Sequence, residues 1–440
     1  MNERQKLELA HWVIAQAKKE GASDAAVSLS SDRGVQVEHR AGKVEKLQES
    51  TQRKLSLSVF ARGRYSSHGT NDIRKQSLGS FIMNAVAMTS YLTEDQHRHL
   101  PDPKYYEGIH QGDLGLLDGE YDSFESGDRI LIAREIESVA HGGDPRVISA
   151  TAGFYDTSYE KVRVHSNGFE GVQRGTMFQA GAEVTVRDGD KGRPEGWYYA
   201  GARQFKDLPD PATLANRARD RAFDKIGQGK IESGSYETVL ENTVDARLIG
   251  SMFTAMQAQA LQQKSSFLDG KQGKPIASEA LTWTDDPFVK GGLGSRTFDG
   301  EGIAAKKRVI VDKGVLQSYY VDNYYGRKLG WEPTTGSYSN IVITPGTVGL
   351  EELVAGMKKG ILVTGFIGGN CNSTTGDFSF GIIGWQVADG KRVRPLNEMN
   401  ISGNMTDFWG KLKTVGNDPN PYSKWLTPSM YFTDVSFSGV

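Results

Sequence analysis

The stretch GGNCNSTTGDFSFGIIGWQV, residues 368–387, holds the chain's only cysteine, Cys371, with Asp377 six positions later. A thiol there becomes a nucleophile when a base or an electropositive pocket favours its thiolate, and a metal ligand when other donors converge on it. Histidine is the usual partner for either role. All eight histidines lie at or before His165: His11, His39, His68, His97, His99, His110, His141 and His165. The last 275 residues therefore form neither a histidine-dependent triad nor a histidine-ligated metal site by themselves. The HRH run at 97–99 is the one close pair, and its charged surroundings suit a solvated loop. Cys371 accordingly reads as a small side chain in a turn, and Asp377 as a turn carboxylate accepting from backbone N–H groups.

Other clusters are weaker signals. Asp285–Asp286, Asp299 with Glu301, and Asn417–Asp418 offer oxygen ligands to a hard cation, but none has the loop spacing of an EF-hand, and turn chemistry accounts for them. GGLGSR at 291–296 sets glycines beside a cation without Walker or dinucleotide spacing. SYYVDNYYGRKLGWEP gathers Tyr319, Tyr320, Tyr324, Tyr325 and Trp331, which suit a peptide groove, a subunit contact or a core.

The elements that would carry these residues follow from periodicity. Leu7, Ala10, Ile14 and Ala17 share one face of a helix over 3–20, ended by Gly21. AAVSLSSD, GVQVEHRAGKVEKLQES and RKLSLSVFARGRYSSHG alternate as strands. Thr70 or Asn71 is placed to cap a second helix through Leu92, with Ile73, Leu78, Ile82, Ala85 and Met88 inward. TEDQHRHLPDPKYYEG then reads as a linker. A helix over 128–139, antiparallel strands with hairpin signals at SNG (166–168) and DGDKG (188–192), and helices over 211–226 and about 243–263 follow. Of 52 glycines, twenty fall between Gly291 and Gly390, which calls for many tight turns and bulges between short strands. The expected fold class is α+β: a helix–β-meander–helix N-terminal domain (1–110), an antiparallel β middle region with a helix (111–232) and a glycine-rich, mainly-β C-terminal domain (233–440).

A formal net charge of −2 argues against a dedicated nucleic-acid binder, and a single cysteine gives no intrachain disulfide. The first twenty residues carry charges throughout and lack the apolar core of a signal peptide, and no stretch approaches a membrane span. The expected location is the cytoplasm.

Taken in order, GKPIASEALTWTDDP, GGLGSRTFDGEGIAAKKRVIVDKGVLQSYYVDNYYGRKLG, PGTVGLEELVAGMKKGILVTGFIGGNCNSTTGDFSFGIIGWQVADGK, ISGNMTDFWGKLKTVGND and LTPSMYFTDVSFSG resemble the TldD/TldE (PmbA) family, also labelled modulator of DNA gyrase. The opening with SSHGTNDI is similar to that family's N-terminal domain. The resemblance implies a two-subunit cytoplasmic metalloprotease acting on unfolded or small peptides. Its TldD-type subunit holds zinc on an HExxxH helix before the glycine-rich region, with a cysteine in a loop near the C-terminus. Histidines five apart do not share a face of a regular α-helix, so that site implies a local irregularity. The glutamate would act as general base on zinc-bound water.

The matching helix here is TVDARLIGSMFTAMQAQALQQ, and between Ala246 and Gln263 it has no His, Glu, Asp or Cys. Leu248, Ile249, Met252, Phe253 and Met256 form an apolar face instead. The late loop is GNDPNPYSKWLTPS, without a cysteine, and Cys371 lies earlier. The resemblance therefore implies the TldE (PmbA)-type subunit. It carries no catalytic residue, metal ligand or cofactor of its own. The zinc is expected in a TldD-like partner, in a heterodimer, or the chain forms a homodimer when that partner is absent. Neither nucleic acid nor membrane is expected as a partner. Asn370, Thr375, Gly376 and Asp377, which could offer strand-edge groups to a peptide, and Tyr324 are the peptide-groove candidates. Two other readings stay open: a regulatory binding protein with no catalytic role, and a homo-oligomeric hydrolase using Cys371 or a serine.

Overall fold

Helix α1 (Glu3–Lys19) starts at a reciprocal cap: the Gln5 amide donates to the Asn2 side chain at 2.9 Å, and the Asn2 amide to the Gln5 side chain at 3.0 Å. The computed structural model describes residues 1–190 and 192–440. Strands β1 (Asp24–Arg40) and β2 (Lys43–Ala61) form one long hairpin rather than the shorter separate strands expected, because the alternation runs through Gly34 unbroken. Ala41 and Gly42 both take positive φ, 51° and 74°, the turn geometry whose twist matches the flanking strands. Arg62 and Gly63 repeat it before β3 (Arg64–Thr70).

Helix α2 (Lys75–Thr89) begins later than expected and without a side-chain cap. The Thr70 hydroxyl instead accepts from the Asp72 amide, and Asp72 is engaged with Arg74. Leu78, Ile82 and Ala85 are buried as expected, whereas Met88 is 60 % exposed. The linker is not simply solvated. The Asn323 side chain donates to the His99 carbonyl at 2.7 Å, and the Tyr324 hydroxyl donates to Asp95 at the same distance.

Helix α3 (Ser126–His141), strands β4 (Val147–His165), β5 (Glu170–Val186) and β6 (Glu195–Ala202), and helix α4 (Pro211–Phe223) follow. Ser166–Gly168 makes the β4–β5 turn as expected, with Gly168 at φ 104°. The hairpin expected at 188–192 includes Lys191, which lies outside the described residues; Asp188 and Gly192 pair across it. The six strands form a single antiparallel sheet in the order β3-β2-β1-β4-β5-β6, so the opening meander and the middle strands share one sheet. All four helices pack on one face of it. Val27, Leu29, Leu55, Leu57, Val162 and Val164 lie under α1 and α2, and Ala152, Phe154, Phe178, Ala180 and Ala182 lie under α3 and α4.

The rest of the chain carries β7 (Gly234–Leu240), α5 (Ala246–Ala255), α6 (Ala258–Gln262), β8 (Trp283–Asp286), β9 (Arg308–Asp312), β10 (Val315–Leu316), α7 (Asn323–Leu329), β11 (Asn340–Ile343) and α8 (Leu350–Ala355). After these come β12 (Lys359–Cys371), β13 (Asp377–Ala388), β14 (Lys391–Asn404), α9 (Met405–Gly410), β15 (Leu412–Val415), β16 (Trp425–Leu426) and β17 (Met430–Ser438). The helix expected over 243–263 is broken in two. The Tyr320 amide donates to the Met256 carbonyl, and the Ala258 amide donates to the Tyr320 carbonyl, inserting a bridge at Gln257.

One C-terminal sheet has the order β14-β13-β12-β7-β17-β15, with β17 also pairing to β14 so that it closes on itself. The other is β10-β9-β8-β11-β16. Both bury their apolar side chains in a core shared with α5 and α6. The fold is α+β. Among the described residues no helix is long and apolar enough to cross a membrane.

Candidate functional site

Helix α5 divides its residues by period. Leu248, Ile249, Met252 and Ala255 face the core, leaving Arg247, Gly250, Ser251 and Thr254 outward. These four line a cleft of about 400 Å³ whose opposite wall is Asn370, Cys371, Ser373 and Phe380. Arg247 is shared with a neighbouring cleft of about 440 Å³ lined by Trp197, Arg221, Phe366, Trp385 and Tyr422. The two clefts therefore meet at the N-terminal end of α5. The second is walled by both the first sheet and the C-terminal sheet.

Strand β12 supplies what lies between them. It pairs in parallel with β7 only over Gly360–Val363, because β7 ends at Leu240 and the chain turns into α5. Beyond Val363, β12 pairs with β13 alone. Residues 364–367 thus present one unpaired strand edge beside the clefts, a row of N–H and C=O groups able to take an added strand. The edge ends in a bulge at Gly368 and Gly369, both at positive φ (58° and 75°). At Gly369 a Cβ would stand 2.1 Å from the Ser379 carbonyl oxygen, so only glycine fits. Arg247 pins this bulge by donating to the Gly368 and Gly369 carbonyls at 2.9 and 3.0 Å.

Of the five sequence candidates, Asn370 lines the cleft. Thr375, Gly376 and Asp377 sit on the β12–β13 turn, where most of their polar groups are already used. The Thr375 hydroxyl donates to Asp377 at 2.7 Å, and the Asn404 side chain donates to the Thr375 carbonyl (2.8 Å) and to Asp377 (3.0 Å). The Gly376 amide donates to the Asn372 carbonyl, and the Met405 amide to the Gly376 carbonyl. Asp377 thus accepts from side chains, not from backbone N–H groups as expected, and those bonds hold its carboxyl below the usual range. Tyr324 lies elsewhere, bonded to Asp95 with the Arg98 guanidinium 3.5 Å from its ring centroid. Of the other aromatics of its segment, Tyr319 and Tyr320 are buried in the core, Tyr325 packs against it partly buried, and the exposed Trp331 stacks on Tyr319.

Cys371 is half-buried, and burial pushes its thiol up, away from the thiolate a nucleophile needs. Its sulfur lies 4.0 Å from the Gly376 carbonyl oxygen. Asp245, just ahead of α5, is buried, and burial raises its carboxyl well above the ordinary value. One oxygen accepts from Thr427 at 2.6 Å; the other has no partner. The acidic clusters act locally: Asp299 accepts from the Glu301 and Ile303 amides, and Asp418 from Ser429.

Residues 120–226 match the PmbA/TldA metallopeptidase central domain, and residues 233–439 match the C-terminal domain of the same family. The chain belongs to the PmbA/TldD metallopeptidase family. It is 26 % identical over 430 residues to "Metalloprotease PmbA" of Escherichia coli O157:H7, covering 97 % of this chain and 94 % of that one. A Bacteroides thetaiotaomicron structure described as a candidate modulator of DNA gyrase is 39 % identical, with a TM-score of 0.97 and full coverage of both chains. TldE from Thermococcus kodakarensis shares the fold, with a TM-score of 0.88 at 19 % identity over 98 % of this chain and 100 % of that one.

The resemblance implies that α5 corresponds to the zinc helix of TldD-type chains, and on that expectation its cleft-facing residues are the test for a metal. Arginine, glycine, serine and threonine are not zinc donors, and Cys371 is the one soft ligand on the facing wall. Among the described residues no three His, Cys, Asp or Glu side chains are grouped to hold an ion. The residues present do not fit zinc. Sequence reasoning missed the free edge of β12, the Arg247 tether and the aromatic wall from Trp197 and Trp385. The signal for the tether is that Arg247 is the one charged residue of α5.

Proposed function

We propose that this chain is the non-zinc subunit of a cytoplasmic, two-chain metallopeptidase of the PmbA/TldD family, pairing with a TldD-like subunit that holds the zinc. Its own task is to receive an unfolded or small peptide as an added strand on the edge of β12, with side chains entering the two clefts that meet at Arg247. The observation that carries the reading is the juxtaposition of an unpaired strand edge at 364–367 with a helix whose cleft face has no metal donor. Main-chain pairing accepts many sequences, which suits a peptidase of unfolded substrates.

The test is zinc content and cleavage of an unstructured peptide, measured on this chain alone and after mixing with a TldD-like chain. The expected result is a metal-free, inert chain and a mixture that carries zinc and cuts. Stoichiometric zinc or cleavage by the chain alone would overturn the assignment. Hydrogen exchange reads the second half: peptide addition should protect the amides of residues 364–367. Unchanged exchange there would remove β12 as the docking edge.

A further inference from the structure

The face of the first sheet opposite its four helices is covered at Ala26, Phe60 and His165 by Leu100 and Tyr106 and at Gly171 by Phe298, and the open stretch beside these contacts is unlike an ordinary solvated face. On β1 and β2 the period of two that sends leucines and valines under the helices sends Ser28, Ser30, Ser56 and Ser58 the other way. On β4 the same alternation puts Lys161 and Arg163 on the serine side. Register sets them out as a lattice. Ser30 is opposite Lys54 on one neighbour and Lys161 on the other, and Ser28 is opposite Ser56 and Arg163. These residues line a cavity of about 460 Å³. It runs into another of about 480 Å³ that shares Tyr159 and Lys161 and extends to Arg203 and Arg296.

The cations here lack the partners that buried cations normally have. Lys161 and Arg163 are half-buried, and burial pulls both below their ordinary pKa values, yet neither makes a side-chain hydrogen bond to a carboxylate. The acidic groups nearest Arg163 are Asp299 and Glu301; Asp32 is the one facing Lys161. Asp299 accepts from the Glu301 and Ile303 amides and Glu301 from the Asn323 amide, so neither carboxyl is spent on a hydrogen bond to Arg163. A half-buried positive row over hydroxyls, of which Ser58 alone is bonded to a side chain (Tyr65, 3.5 Å) among the described residues, is suited to an anionic ligand.

We infer that this serine-lined face binds an acidic stretch of an extended peptide, its carboxylates meeting Lys54, Lys161 and Arg163 and its amides meeting the serine hydroxyls. The inference rests on the peptide-handling role proposed above and gives that role a charge preference. Lys161 and Arg163 are two residues apart on one strand, roughly 7 Å, which is the spacing of alternate side chains in an extended peptide. Lys54 lies across Ser30 from Lys161, roughly 10 Å away, so one compact anion does not span the set. Tyr159 is the one aromatic lining the serine cavity, which gives stacked bases no platform.

The test uses the full chain and fluorescence anisotropy with three labelled probes: an unstructured peptide with Glu at alternate positions, its Gln counterpart, and an oligodeoxynucleotide of equal charge. The Glu peptide should bind about tenfold more tightly than the Gln peptide, and that ratio should collapse in ~0.5 M salt. The Lys161→Gln/Arg163→Gln pair should bring the ratio to about one, and Lys161→Arg should keep it. Lys54→Gln, at an exposed position, should lower the ratio even if the buried pair misfolds. Arg247→Ala should weaken both peptides without changing it. Equal affinity for Glu and Gln peptides, a ratio untouched by the lysine and arginine variants, or tighter binding of the oligonucleotide would each overturn the inference. A Gln peptide that binds equally well and is lost with Arg247→Ala would overturn it while leaving the proposed function intact. Failure of both peptides to bind would overturn both.

Discussion

The Arg247 guanidinium donates to the Gly368 carbonyl at 2.9 Å, joining the outward face of α5 to the bulge that ends the free edge of β12. The same group reaches Gly369 at 3.0 Å and lies 4.9 Å from the centroid of Phe380. One exposed side chain thus holds together both walls of the cleft. In the family's zinc-bearing chains the matching helix is implied to hold a metal; here it holds the opposite wall by hydrogen bonds.

Arg247→Ala is expected to cost about 1 kcal/mol of global stability, since the bonds are solvent-exposed. Its larger effect should be local. The amides of residues 364–371 should exchange faster while the core strands keep their rates. Both bonds come from one guanidinium nitrogen, Nη2, so Arg247→Lys, whose ammonium also carries several donors, should stay closer to the parent in exchange than the alanine variant. Unaltered exchange in both would show that the bulge holds without the tether.

Cys371 is expected to be chemically quiet. Cys371→Ala should change stability by no more than about 1 kcal/mol and leave the activity of the assembled peptidase unchanged, because the thiol packs in a turn held by Asn372, Asn404 and Asp377. Alkylation by iodoacetamide at neutral pH should run slower than for free glutathione, as burial raises the thiol. A rate above that of glutathione, or loss of activity in Cys371→Ala, would return this residue to the list of nucleophiles.

Within the first sheet, Arg129 and Asp156 form a bidentate pair at 2.6 and 3.0 Å, with side chains 1 % and 0 % exposed, and the Tyr121 hydroxyl donates to Asp156 at 2.6 Å. Asp156→Asn keeps the volume but leaves a buried guanidinium without its counter-ion, and should destabilise by about 3–5 kcal/mol. Arg129→Met combined with Asp156→Leu should recover much of that loss. Urea denaturation of the two variants decides it: a mild single variant would mean that water reaches the pair.

Local rules read much of this molecule. The alternation of Leu55, Leu57 and Val59 placed them inward, and Ser166–Gly168 turned a hairpin where the glycine demanded one. The local pattern runs as one helix over 243–263, whereas the break at Gln257 is imposed by the Tyr320 backbone, more than sixty residues away. The Thr70 cap failed because Asp72 and Arg74 bond each other instead. The composition of its segment points to Tyr324 as a groove residue, but its partner is Asp95, in the stretch whose polarity suggests a linker. The free edge of β12 depends on where β7 departs, a relation between strands more than a hundred residues apart that no local pattern encodes.

The buried His165 and the partly buried Glu301, both near Arg163, should give the fold opposing pH dependences. His165 bonds the Tyr106 hydroxyl at 3.0 Å, and burial, with Arg163 adding repulsion, lowers its pKa from 6.5 to about 3. The unfolded chain binds that proton more readily, so the stability from a neutral His165 is fully present above pH 6.5 and is lost as pH falls towards 3. Glu301 shifts the other way. Burial raises it from 4.5 to about 7, with Asp299 and Asp322 adding repulsion and the Asn323 amide, at 2.8 Å, opposing. The folded chain holds that proton more tightly, so its contribution is fully present below pH 4.5 and is lost as pH rises through 7. The loss amounts to about 3 kcal/mol, taking the shift at face value. Glu301→Gln keeps the shape and removes the titration, so its stability relative to the parent should rise between pH 5 and 8. Chemical denaturation of both proteins at pH 5, 6.5 and 8 measures this. A difference that stays constant across the three would mean that the Glu301 carboxylate is ionised and solvated in the folded chain.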